Sequence, residues 1–138
     1  MTHADLFRFI EQSKLGVLSS IGSAGEPQSA LVGFAVTDDL QIVFDTVKAS
    51  RKYGNLKARP ACSFVFGWKG ERTVQYEGIA EELDGRQLQQ YQEVYFQTWP
   101  DGFSRSQWPG IVYFLVKPKW IRYSDFDKNP PLILEFTF

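Results

Sequence analysis

Apolar positions along the chain fall mostly in short blocks at strand spacing, broken by Gly, Pro and acidic residues. "KLGVLSSIG", "SALVGFAV" and "QIVFD" are separated by "SAGEPQ", a turn by composition, and by the tight connection "TDDL". Residues 17–45 therefore predict a strand meander. "ACSFVFGW", the turn "KGE" and "RTVQYEGIAEEL" predict a hairpin. Its second strand alternates through Val74 and Tyr76 and falters at Gly78, where a bulge is expected. "IVYFLVKPKWIRYSDF" predicts a fully buried strand, a break at Pro118 and a further strand. The tail "LILEFTF" is too apolar to stand exposed.

Helical spacing appears in three places. "DLFRFIEQ" sets Leu6, Phe9 and Ile10 on one face with Phe7 beside them. Residues Ser50–Lys57 place Tyr53 and Leu56 three apart and end before Pro60, which lacks a backbone donor. "DGRQLQQYQEVYFQTWP" aligns Leu88, Tyr91 and Tyr95, with Val94 adjoining and Asp84 as a candidate cap. "WPDGFSRSQWPG" reads as a loop, bracketed by Trp99 and Trp108. At least six strands joined mainly by short turns favour antiparallel pairing in a closed or nearly closed barrel. An alternating βαβ arrangement does not fit. The expected class is mainly β with short helices.

Composition narrows the functions. The 138 residues, 43% hydrophobic and 22% charged, fit one folded domain over residues 1–138. The aromatic share of 16% suits sheets, interfaces and the stacking of flat ligands. A formal charge of −1 gives no support to broad electrostatic binding of nucleic acid or of an anionic membrane. No segment approaches the ~20 apolar residues of a membrane span. "MTHADLFRFIEQSK" lacks the apolar run of a secretory signal, so the cytoplasm is the expected location. The single cysteine, Cys62, rules out an intrachain disulfide and a cysteine-based metal cluster; its strand setting predicts a buried, inert thiol. The single histidine, His3, near the start of the chain, leaves no basis for a histidine triad, a histidine-rich metal site or histidine-ligated haem. Asp38 and Asp39 read as a turn, and Glu81 and Glu82 as a solvated strand end, so no carboxylate pair is expected to act.

"FDTVKASRKYGNL" is the segment with the most chemistry. A strand leads into a helix, and Thr46, Ser50, Arg51 and Lys52 lie within seven positions. Unsatisfied N–H groups at a helix start, hydroxyls, a guanidinium fork and an ammonium together suit a phosphate or carboxylate. The same residues also fit a solvated helix start, and the segment alone leaves both readings open. Neither GxxxxGK[ST] nor GxGxxG occurs, so a phosphate site would need another architecture.

The order of motifs carries further. "FDTVKASRKYGNLKARPACSFVFGW" followed by "ERTVQYEGIAEEL", with "LGVLSSIGSAGEPQSALVGF" upstream as a first hairpin, resembles the pyridoxamine 5'-phosphate oxidase-like family. The resemblance implies a split β-barrel like those of flavin reductase and pyridoxamine phosphate oxidase-like domains. It implies a homodimer with FMN at or near the subunit interface. Arg51 and Lys52 would contact the FMN phosphate, assisted by Ser50 and Thr46. Ala30, Leu31, Val32, Phe44 and Asp45 would line the ribityl chain or ring, and Arg72, Trp120 and Arg122 are further candidate contacts. The activity implied is an FMN-dependent oxidoreductase of a small molecule, with a reduced nicotinamide as a possible electron donor. The alternatives are a non-catalytic protein that binds FMN or another flat cofactor, and an interaction barrel that has lost flavin binding. The chain departs from the oxidases in having no basic residue in "PQSALVGF", Thr73 after Arg72, and no "RLHD"-type segment. These departures point away from pyridoxamine phosphate as substrate.

Overall fold

The computed structural model describes all residues, Met1–Phe138. Its elements are α1 (His3–Glu11), β1 (Leu15–Ile21), β2 (Pro27–Val36), β3 (Ile42–Val47), α2 (Arg51–Ala58), β4 (Ala61–Lys69), β5 (Arg72–Glu82), α3 (Gly85–Thr98), α4 (Gly102–Arg105), β6 (Ile111–Asp125) and β7 (Leu132–Thr137). None of the helices is long and apolar enough to cross a membrane.

All strand pairs are antiparallel, in the order β3-β2-β1-β4-β5-β6-β7, and β3 also pairs with β6. That last pairing closes six strands into a barrel and leaves β7 outside it. β6 does two jobs along its length. Ile111–Val116 pairs with β3, and Trp120–Asp125 pairs with β7.

The break expected at Pro118 does not occur, and β6 runs unbroken for 15 residues. The chain instead takes in an extra residue: Glu77 faces Trp120 while Gly78 faces Pro118, so Lys119 is the odd residue of a bulge. A bulge spares the proline the ladder bond that it has no N–H to make. The irregularity predicted at Gly78 is therefore present, with the extra residue on the opposite strand. A Cβ at Gly78 would lie 2.5 Å from the Lys117 carbonyl oxygen, which explains the glycine.

The barrel interior is aromatic. Phe34, Phe44, Phe64, Phe66 and Phe114 are all fully buried, with Phe64 stacked on Phe66 and Phe44 on Phe114. Tyr76 is also fully buried, and its hydroxyl donates to the carbonyls of Leu40 and Val116 at 2.8 and 3.2 Å. A second cluster lies outside the barrel, where Tyr95 of α3 packs on Ala35, Val43, Tyr113 and Leu115. Strands β2, β3 and β6 are thus covered on both faces there, which is why "IVYFLV" is continuously apolar.

At the helix ends, local chemistry decides. Thr2 and Asp5 form a reciprocal capping box, so α1 begins at His3, ahead of its apolar stripe. The His3 ring rests against Phe136 and Phe138. Asp84 stands at the start of α3, but its side chain makes no capping bond; its carbonyl accepts from Leu88 instead. The segment expected as a loop between Trp99 and Trp108 contains the short helix α4.

The strand β2 has ten residues yet meets β3 only through Phe34↔Phe44, Ala35↔Val43 and Val36↔Ile42. Beyond those pairs the two strands part. Residues 27–33 keep β1 as their one strand neighbour, and Asp45–Val47 keep β6. The helix α2 sits beside this opening, which is the split of the barrel.

Candidate functional site: the split between β2 and β3

The head of the split is built by Ser50. Its hydroxyl accepts from the Tyr53 amide at 3.4 Å as the N-cap of α2 and lies 2.8 Å from the Thr46 hydroxyl. Both hydroxyls hold the strand-to-helix turn in shape. Asn55, buried on α2, donates to Ser20 at 3.1 Å and Gln28 at 2.9 Å, pinning the helix to β1 and β2. Asn55 belongs to the run of motifs that carries the family resemblance, but its bonds cannot be read locally, because its partners lie on distant strands.

Arg51 and Lys52 follow the cap and take part in none of the ion pairs of the molecule. They open onto a small cleft of about 40 Å3 shared with Leu18, Ser20, Gln28, Ser29 and Ala30. The arrangement is two uncompensated cations, a helix start and hydroxyl and amide groups around one recess. It suits a phosphate bound at its edge rather than a molecule enclosed by it.

The lips of the split differ from each other. Ala30 is half-buried, Val32 points into the core, and Leu31 points outward and is 61% exposed. Phe44 is wholly inside the barrel. Asp45 faces outward, where Arg105 donates to it from Nε at 3.2 Å, and Arg105 also donates to the Tyr95 hydroxyl at 2.7 Å. Burial, reinforced by the Asp45 carboxylate, keeps the Tyr95 phenol protonated well above the usual tyrosine range. With its side chain engaged, Asp45 has only its backbone to offer at the split, and Phe44 lies between strand partners on both sides, Phe34 and Phe114.

The remaining candidates lie elsewhere on the chain. Arg72 is at the β4–β5 hairpin with its guanidinium over the Phe9 ring. Trp120 and Arg122 lie on the outer face of β6, where both donate to Glu135, at 3.4 and 3.0 Å, and stack on each other. The register runs Leu31–Val17–Val65–Gln75–Arg122 across the sheet. Four strand spacings, roughly 19 Å measured along the curved sheet, lie between Arg122 and the lip of the split. One chain therefore does not bring these groups together.

Glu82, expected to be solvated, accepts from the Tyr53 hydroxyl at 3.0 Å and pairs with Lys57 at 3.1 Å. Burial pushes the Cys62 thiol up to about 12, in keeping with an inert cysteine.

A family model described as pyridoxamine 5'-phosphate oxidase matches residues 3–125. The chain belongs to this family. Among its relatives, the pyridoxine/pyridoxamine 5'-phosphate oxidase of Thermosynechococcus vestitus is 35% identical over 92 residues, covering 66% of this chain and 42% of that protein. The chain thus spans about two fifths of the curated relative that it matches. A heme binding protein from Mycobacterium smegmatis superposes with a TM-score of 0.83 at 15% identity, over 99% of this chain and 58% of that one. A pyridoxamine 5'-phosphate oxidase-related, FMN binding protein from Nostoc punctiforme superposes with a TM-score of 0.68 at 13% identity, over 99% and 92%. At such identities the superpositions speak for the family's split barrel alone.

Proposed function

We propose that the split holds FMN and that the protein is an FMN-dependent oxidoreductase acting on a small molecule. The observation that carries this reading is the pair of uncompensated cations, Arg51 and Lys52, at the first turn of α2, beside a length of β2 with no strand on its β3 side. Arg51 and Lys52 bind the phosphate, with the N–H groups of the helix start. The open edges at Ala30–Val32 and Asp45–Thr46 orient the ring through backbone groups. When bound, FMN supplies hydride and electron chemistry that the chain's own side chains do not.

Trp120, Arg122 and the outer sheet face fit a homodimer. Leu31, Val65, Ile21 and Ile79 are all exposed on that face. A twofold axis along β4 would lay β6 of a second copy over β2, bringing its Trp120 and Arg122 to the split. That geometry supplies the contacts which one chain leaves four strands apart.

Titration of FMN, followed by flavin fluorescence, tests the cradle. Arg51→Ala/Lys52→Ala is expected to weaken affinity at least ~10-fold, through loss of two charge-assisted interactions. Unchanged affinity would sink the assignment. A second reading, non-catalytic FMN binding, is favoured by the cleft lining, in which β2 contributes no cation beside Arg51 and Lys52. Anaerobic mixing of the FMN-loaded protein with a reduced nicotinamide separates the two: bleaching of the flavin band supports the oxidoreductase. Protein that takes up no FMN at all would contradict both and leave an interaction barrel.

A further inference from the structure

On the other side of the β3–α2 connection lies a recess of about 390 Å3 that shares no lining residue with the cleft at Arg51. Its walls are Lys48 on that connection, Glu82 at the end of β5, Leu88 and Gln92 on α3, and Ile111 and Tyr113 at the start of β6. Volume of this order is typical of small-molecule sites.

Tyr113 is the unusual member. It is 2% exposed, and its hydroxyl has no hydrogen-bond partner in the protein. Gln92 lies beside it without completing one. Tyr76 and Tyr95, buried as deeply, both have partners. A buried hydroxyl left unbonded is costly, and its persistence calls for an explanation. Burial and the nearby Asp45 carboxylate raise the phenol above its ordinary range, so the hydroxyl keeps its proton.

Charge selects the kind of ligand. Glu82 is answered by Lys57 and Tyr53, and Asp45 by Arg105. Lys48 has no carboxylate partner, so the recess carries one uncompensated positive charge. Leu88 and Ile111 present apolar surface beside it. We infer that this recess binds a small amphipathic monocarboxylate. Its carboxylate accepts from the Tyr113 hydroxyl and the Lys48 ammonium, and its apolar body packs on Leu88 and Ile111. The site is independent of the flavin reading and stands or falls separately.

Benzoate, with benzamide as its uncharged counterpart, probes the site on the full chain by NMR chemical-shift titration and calorimetry. Saturable benzoate binding is expected, with shifts centred on Leu88 and Ile111. Tyr113→Phe and Lys48→Met should each weaken it about tenfold, and benzamide should bind about tenfold more weakly than benzoate. Tyr113→Phe breaks no internal hydrogen bond, so its melting temperature without benzoate should equal or exceed that of the natural protein. No saturable binding up to about 10 mM, or an affinity indifferent to both substitutions, would overturn the proposal. So would benzoate binding that FMN abolishes by competition, since the two recesses have no residue in common.

Discussion

The Ser50 hydroxyl serves both the Tyr53 amide and the Thr46 hydroxyl, so the shape of the proposed phosphate cradle depends on one oxygen. Ser50→Ala is expected to cost about 1 kcal/mol of stability, the usual worth of a lost N-cap, measured by urea denaturation. An unaltered midpoint would show that the cap is idle. The capped turn that carries these groups was legible at this scale because Thr46, Ser50, Arg51 and Lys52 are sequence neighbours whose chemistry is local. What Asn55 bonds to was not legible, since Ser20 and Gln28 lie 35 and 27 residues away. Glu82 misled for the same reason. It closes a strand in the sequence, yet in space it meets Tyr53 and Lys57 on α2.

Among the elements, β6 shows how a local rule is overruled. Pro118 predicts a break, but β5 holds the strand extended there while β3 and β7 hold the segments before and after it, and the bulge at Lys119 accommodates the residue without a donor. Gly78 makes that crossing possible by allowing the Lys117 carbonyl close approach. Gly78→Ala should therefore destabilise the fold by about 1–3 kcal/mol, as overpacking against backbone does. Equal thermal and urea stability of the variant would remove the argument. Runs of alternating residues made most strands readable, and α3 was readable from its apolar stripe. The cover that α3 places over β2, β3 and β6 was not, because a continuous apolar run does not say what lies on its second face.

In the molecule as a whole, the antiparallel barrel followed from consecutive strands and short turns. The split did not, because it depends on where β2 leaves β3 and on the long-range pairing of β3 with β6. The family resemblance supplied that feature, and the strand register accounts for it. The same register gives the dimer a test. Val65 lies midway along the row from Leu31 to Arg122 and is 39% exposed. A buried unpaired carboxylate is strongly unfavourable, so Val65→Asp should turn a dimer into a monomer in sedimentation velocity. FMN affinity should fall with it, although Arg51 and Lys52 are untouched. A variant that stays dimeric would move the interface elsewhere.

Cys62 lies under the same sheet face, buried, with its thiol held protonated far above neutral pH. Since the thiolate is the form that reacts, the natural protein should be close to silent toward maleimide reagents at neutral pH. A single cysteine introduced at an exposed position such as Phe103 would then carry essentially all of a spin or fluorescent label. The chain thus comes with its chemical background already blank, and one reporter per subunit suffices to measure distances across the proposed assembly.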